Sequence, residues 1–305
     1  MKNELDFSPV TKARLNVQAA LATSTSLGYW QDAWLRLKKD RMAMAGLVFI
    51  ALLLILAVVG PWFCSYSYDQ QNYLHVNEAP SWEHLLRTDK LGRDMYVRVL
   101  YGARISLAIG IVASLINLVI GVIYGGLAGL LGGRTDRIML NIVDVLYGIP
   151  TLLYVILLMV VFKPGLVNIF VALGISYWLQ MARTVRGQVL TLKEQEYVLA
   201  ARSMGASKWH ILVQHLIPNS MGVIIVSLSL GIPDAIFTEA FLSFIGLGVS
   251  APMASWGVLA SEGVDAIKAY PYQLLFPALA ISLTMLAFNF LSDGLRDALD
   301  PKLRR

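Results

Sequence analysis

The chain has 305 residues, of which 57% are apolar and only 15% charged, with a formal net charge of +5 and a mean hydropathy of +0.62. Soluble domains carry about 45–50% apolar and about 25% charged residues, so this composition excludes a single water-facing globule and makes lipid the solvent for much of the surface. Cys64 is the only cysteine, which excludes an intrachain disulfide and a cysteine-based zinc site.

Residues 1–28 are polar, and the first apolar run begins only near Ala43. A secretory signal places its apolar region much nearer the start, so this stretch reads as a cytosolic tail. From Trp30 to Arg41 the chain mixes Trp30, Trp34, Leu35 and Leu37 with Arg36, Lys38 and Lys39. Apolar side chains at the lipid interface with cations in water describe an interfacial helix. Six apolar segments long enough to span a bilayer follow, near 43–63, 103–131, 138–162, 166–183, 220–245 and 274–293. The fold class is therefore an all-α polytopic membrane protein. The expected division is a tail and interfacial helix at 1–41, a first membrane helix at 42–64, and an extracytoplasmic loop at 65–102. A five-helix core at 103–293 contains a cytosolic loop at 184–219, and a cytosolic C-terminus occupies 294–305.

Orientation comes from lysine and arginine. With the N-terminus inside, the cytosolic segments hold 18 of these residues and the outer segments 6. The positive-inside rule then places both termini in the cytosol. The basic balance is thereby spread over membrane-flanking loops, which argues against a nucleic-acid-binding face.

Within the second span, Gly121, Gly125, Gly129 and Gly133 recur every fourth residue, after Ser106, Gly110 and Ser114 at the same interval. Residues four apart share one helix face, so the stripe admits the close approach of another helix, within this chain or on a second membrane subunit. The third and fifth spans hold Asp144, Asp234 and Glu239 together with Pro150 and Pro233. Intramembrane carboxylates face the bundle interior, and a mid-span proline frees carbonyls that line a cavity. The three acids are thus candidates for a translocation path, against the plainer reading that each is capped or paired by a neighbouring helix.

No Gly-Lys dipeptide occurs, so there is no nucleotide-binding P-loop, and neither a His-Glu-x-x-His nor a Gly-x-Ser-x-Gly motif is present. His75, His84, His210 and His215 are not spaced as a metal pair on one helix face, and they read as loop or interface residues. No catalytic or metal site is expected. The informative segment runs from Glu196 through Ala200, Ala201, Gly205, Ala206, Ser207 and Trp209 to Pro218. Gly205 suits a left-handed helix end and Ser207 an N-cap. Trp209, Leu212, Val213 and Leu216 form one apolar side, Pro218 halts the second helix, and Asn219 or Ser220 caps the next span. A helical elbow with an apolar face is a shape suited to docking in a groove of another protein.

Ala200, Ala201, Gly205 and Pro218 resemble the E-A-A-x-x-x-G loop of ABC importer permeases. Thr88, Asp89, Gly92, Arg93 and Asp94, followed by Gly102, Arg104 and Ser106, are similar to a G-T-D-x-x-G-R-D segment of the C-type permeases of oligopeptide and dipeptide importers. Two further stretches match that family. One runs from Glu239 and Ser243 through Gly246 and Gly248 to Pro252 and Trp256; the other runs from Asp293 and Gly294 through Arg296 and Asp297 to Pro301. The resemblance covers nearly everything from Trp30 onward. Leu199 stands where the general loop carries its glutamate, with Glu196 one turn earlier; Leu86 and Arg87 replace Phe-Gly, and Ser292 replaces a glycine.

The resemblance implies a type I ABC importer permease of six transmembrane helices. It implies a homologous B-type permease beside it, one or two ATP-binding subunits that carry ATP and Mg, and an extracytoplasmic peptide-binding protein. No cofactor is expected on this chain, and the elbow would pass ATPase motion into the bundle. A nickel complex is the alternative cargo within the family. An ion-driven secondary transporter would require inverted halves, which the sequence does not display.

Overall fold

The computed structural model describes residues 28–250 and 252–300. The expected tail at 1–27 and the chain end at 301–305, with Pro301, lie outside the described residues. Among those described there is no β-strand, only an isolated bridge between Thr88 and Asp94.

Helix α1 (Tyr29–Lys39) meets α2 (Arg41–Val59) at Asp40, whose carboxylate accepts from the Met42 and Ala43 amides at 2.9 and 3.1 Å. That cap starts α2 and turns the chain. Trp30, Trp34 and Leu35 of α1 are exposed, but Leu37 is buried against Ala43 and Ala298 and so does not reach the lipid interface. Beyond α2, a 3-10 turn (Gly60–Phe63) leads to Cys64 in extended backbone.

Asp94 caps α3 (Met95–Leu131) by accepting from the Val97 amide at 2.9 Å. The helix starts eight residues before the expected span, because its first two turns sit in a polar cluster. Arg98 is buried and donates to Asp89 at 2.6 Å and Glu262 at 2.7 Å; Arg93 donates to the same two acids at 2.6 and 2.9 Å. Trp256 donates its indole N–H to the Val99 carbonyl at 3.0 Å, and the Tyr272 hydroxyl donates to the Thr88 carbonyl at 2.8 Å. These bonds tie the 64–94 loop to α10 (Trp256–Asp265) and α11 (Tyr272–Leu299).

Helix α3 packs most extensively against α6 (Leu166–Leu192). Gly121 faces Met181, Gly125 faces the Ala182 backbone and Gly129 faces Val189; a Cβ at Gly125 would lie 2.2 Å from the Ala182 carbonyl oxygen. Two backbones touch there, as only glycine permits. Gly133 takes no part in this seam: α3 ends at Leu131 and is capped by Gly132, with φ +65°, and nothing lies within 4 Å of where a Gly133 Cβ would be. Serine and glycine earlier in the stripe meet other elements, Ser106 bonding Glu239 and Gly110 packing on Ile236.

The expected third span is not one helix. It divides into α4 (Gly133–Tyr147) and α5 (Thr151–Phe162), bent by 81°. Gly148 ends the first piece, and Pro150 both lacks an N–H and pushes Ile149 out of helical geometry, so a kink becomes a break. Among the described residues five helices are long and apolar enough to cross a membrane, and up to six spans result if the bent pair counts as one.

Pro218 does not stop the elbow's second helix. Helix α8 (Lys208–Ile211) passes through a π turn (Leu212–Leu216) into α9 (Ile217–Phe244), a helical run of 37 residues. The wider π turn accommodates a residue without an amide hydrogen. Asn219 and Ser220 are accordingly not caps; their side chains donate back to the His215 and Leu216 carbonyls at 2.6 and 2.7 Å.

Candidate functional site

Two features lie along α9, an elbow at one end and a cavity further along. The elbow begins with α7 (Glu196–Ser203). Gly205 has φ +87°, its amide bonds the Arg202 carbonyl at 3.0 Å, and the Ala206 amide bonds Ala201 at 3.1 Å. This paired closure is a Schellman ending, which needs a left-handed residue at the Gly205 position. Ser207 then caps α8, its hydroxyl accepting from the His210 amide at 3.2 Å. Val198 and Ala201 pack with Ile211, Leu212 and Leu216 against Val185 and Val189 of α6.

The outer side of the elbow carries Met204, 82% exposed, and Trp209, 62% exposed, with Val213 on the same row. The expected single apolar side is therefore two: Leu212 and Leu216 turn inward, Trp209 and Val213 outward. Glu196, Ala200 and Pro218 are exposed as well. A concavity of about 430 Å³ is lined by Ala201, Met204, Gly205, Ala206, Ser207, His210 and His215. Met204 escaped the sequence reading; its position just before the helix-ending glycine is the signal that marks it.

The cavity, about 550 Å³, opens between α3, α6 and α9. Ser114 and Asn117 line it from α3, Tyr177, Gln180 and Thr184 from α6, and Ser227, Gly231 and Asp234 from α9; Tyr147 and Thr151 reach it from either side of the α4–α5 break. The break thus delivers side chains to the cavity wall. Asp234 is exposed into this space and has no hydrogen bond or ion pair among the described residues. The Ser114 hydroxyl and the Asn117 amide oxygen are buried without partners.

The other two acids sit elsewhere. Asp144 is paired with Arg183 at 2.5 Å, and Arg183 lies 4.1 Å from the centre of the Tyr147 ring, so the pair flanks the cavity without lining it. Glu239 is completely buried. Ser106 and Ser243 donate to it at 2.9 and 2.7 Å, and Ser106 in turn accepts from the Trp256 amide at 3.3 Å. Asp234 alone of the three lines the cavity. Asn117 was missed because a lone asparagine in an apolar run carries no periodic signal; its spacing of three from Ser114 puts both on one face.

Residues 117–305 match the family described as binding-protein-dependent transport system inner membrane component, and residues 28–80 match the N-terminal TM domain of oligopeptide transport permease C. The chain belongs to this permease family. The permease is similar to the dipeptide transport system permease protein of Bacillus subtilis, 54% identical and covering 95% of this chain and 91% of the relative. It is 52% identical to the oligopeptide transport system permease protein of the same organism, covering 92% of each. An oligopeptide permease protein of Haemophilus influenzae is 43% identical, over 90% of this chain and 89% of that one. As a permease subunit the chain is a multi-pass membrane component and not an enzyme.

Proposed function

We propose that this permease is one of two membrane subunits of an ATP-driven, binding-protein-dependent importer of oligopeptides or dipeptides. The observation that carries the cargo is the identity of 52–54%, over more than nine-tenths of each chain, to permeases named for those peptides. The same likeness favours peptide over a nickel complex. A second, B-type permease completes the passage, one or two ATP-binding subunits hold ATP and Mg, and an outer binding protein delivers peptide to the 64–102 and 246–273 segments. Both termini face the cytosol of the bacterial inner membrane, in keeping with the distribution of lysine and arginine.

The elbow around Gly205 is the coupling element. Its exposed Met204 and Trp209 offer apolar side chains to the ATPase cleft, while its inner face is packed on α6 and the π turn. Glu196 and the exposed Ala200 flank this contact, with Leu199 where the general loop has its acid. A displacement there passes into α9 as a rigid-body movement of packed helices. The path is lined by Asp234, with Asp144 at its flank and Glu239 in the wall behind it.

The test is reconstitution of the complete importer in proteoliposomes, with radiolabelled dipeptide and nickel as competing cargoes. Peptide accumulation that needs ATP and the binding protein is expected. Accumulation of nickel alone, or peptide uptake driven by a proton gradient without ATP, overturns the reading. Gly205→Val forces a β-branched residue to φ +87° at a cost of about 1–2 kcal/mol and is expected to lower transport per ATP hydrolysed. Unchanged coupling removes the elbow from that role.

A further inference from the structure

We infer that Asp234 is the subsite for the free α-ammonium group of the translocated peptide, with Asn117 and Ser114 receiving donors beside it. The unmet groups in the cavity set the chemistry. Asp234 presents a carboxylate with no hydrogen bond or ion pair among the described residues. The Asn117 amide oxygen and the Ser114 hydroxyl oxygen, on residues only 6% and 2% exposed, also lack partners. Native proteins rarely leave buried groups such as the last two unsatisfied. Two of the three accept only, and the third accepts as readily as it donates. A ligand that satisfies them brings N–H donors and positive charge.

The remaining acids sharpen the assignment, since each already has its partner. Arg183 holds Asp144 and two serines hold Glu239. No Lys, Arg or His is among the described residues that line the cavity, so a carboxylate of the cargo meets no countercharge there. A peptide with a free amino terminus offers an ammonium to Asp234 and its first amide N–H to the oxygen of Asn117. Its carboxyl end then lies away from Asp234. The tyrosine hydroxyl of Tyr177 is held by Thr238 on α9 and marks the neighbouring wall.

The inference rests on the reading of the cargo as peptide. The test compares Asp234→Asn with wild type in the complete reconstituted importer, using one dipeptide sequence in free and N-acetylated forms. Loss of a charge-assisted hydrogen bond is expected to slow uptake of the free form by about ten- to a hundredfold, while the acetylated form keeps its wild-type rate, and Asp234→Glu restores the free form. Equal slowing of both forms, or of neither, overturns the assignment. So does failure of Asp234→Asn to co-purify with the second permease, because Asp234 then pairs between subunits.

A second measurement does not depend on rate. In a Cys64→Ser background that keeps Asp234, Gly231→Cys, three residues earlier on the cavity lining, is expected to capture a dipeptide carrying a thiol-reactive group on its first residue in preference to one carrying it on its last. The reverse preference overturns the inference. Wild-type importer that transports nickel and no peptide overturns the cargo reading instead, a result distinct from all of these.

Discussion

Replacing Gly125 by alanine tests whether the α3–α6 seam holds the bundle together. The new Cβ would lie 2.2 Å from the Ala182 carbonyl oxygen and 3.0 Å from that residue's Cα and carbonyl carbon. These are backbone atoms, which cannot swing aside as a side chain does. Non-bonded carbon atoms settle at about 3.5–4.0 Å, so the helices must part by roughly 1 Å at this point. Overpacking of this kind costs about 1–3 kcal/mol, against about 1 kcal/mol recovered by replacing a helical glycine. Gly126, the next residue, supplies the control. Its Cβ would meet only the Ile217 and Leu212 side chains at 3.5 Å, ordinary contact, so Gly126→Ala keeps the propensity gain without the clash. The two variants therefore differ by roughly 1–3 kcal/mol. Thermal unfolding of the purified importer in detergent, followed by size-exclusion chromatography of the surviving fraction, reads this difference. Equal midpoints, or a higher midpoint for Gly125→Ala, refute the close-approach argument.

Glu239→Ala leaves the Ser106 and Ser243 hydroxyls buried without their acceptor, each at a cost of about 1–3 kcal/mol; folded yield is expected to fall while uptake per folded importer stays near wild type, and the reverse pattern puts Glu239 on the path. Arg98→Met removes the central cation of a cluster in which Arg93 still reaches Asp89 and Glu262, so the loss sits near the lower end of the 3–5 kcal/mol range, about 3 kcal/mol. Lys90→Met, which breaks an exposed pair with Asp265 at 3.7 Å, is expected to cost under about 1 kcal/mol in the same melting assay. Cys64, just past α2, has its thiol pushed up by burial and then by the Asp94 carboxylate. Thiolate is the reactive form, so a membrane-impermeant maleimide is expected to label intact cells slowly at neutral pH and faster as pH rises; labelling confined to inverted vesicles reverses the assigned orientation.

How much of this was legible in the sequence differs from element to element. Straight spans announce themselves by length and apolarity, which is why the chain read as an all-α membrane bundle before any coordinates. The elbow was equally legible, because Gly205 and Ser207 act through local backbone chemistry that survives in any context. Pro218 misled for the opposite reason: a proline halts a helix only when the ladder before it is regular, and the π turn at Leu212–Leu216 follows from no composition rule. The cavity was half legible. Acids in apolar runs stand out, but which of them meets a void depends on rotation about each helix and on neighbours more than a hundred residues away. Ser106 reaches Glu239 across 133 positions of sequence, whereas Asp234, five residues before Glu239, has no hydrogen bond or ion pair among the described residues.

The unbroken run from Lys208 to Phe244 makes the permease sensitive to phase. Each residue of a helix turns the next by about 100°, so the angle between the Trp209 face and the Asp234 face is set by a count of residues and by one wide turn. Adding a single alanine between them would preserve every side chain and most of the length. It would also rotate the elbow by more than a quarter circle relative to the cavity. Length variation among such chains should therefore collect in the loop before α7 or beyond Phe244, and the stretch between should behave as a keyed shaft whose two ends are read together.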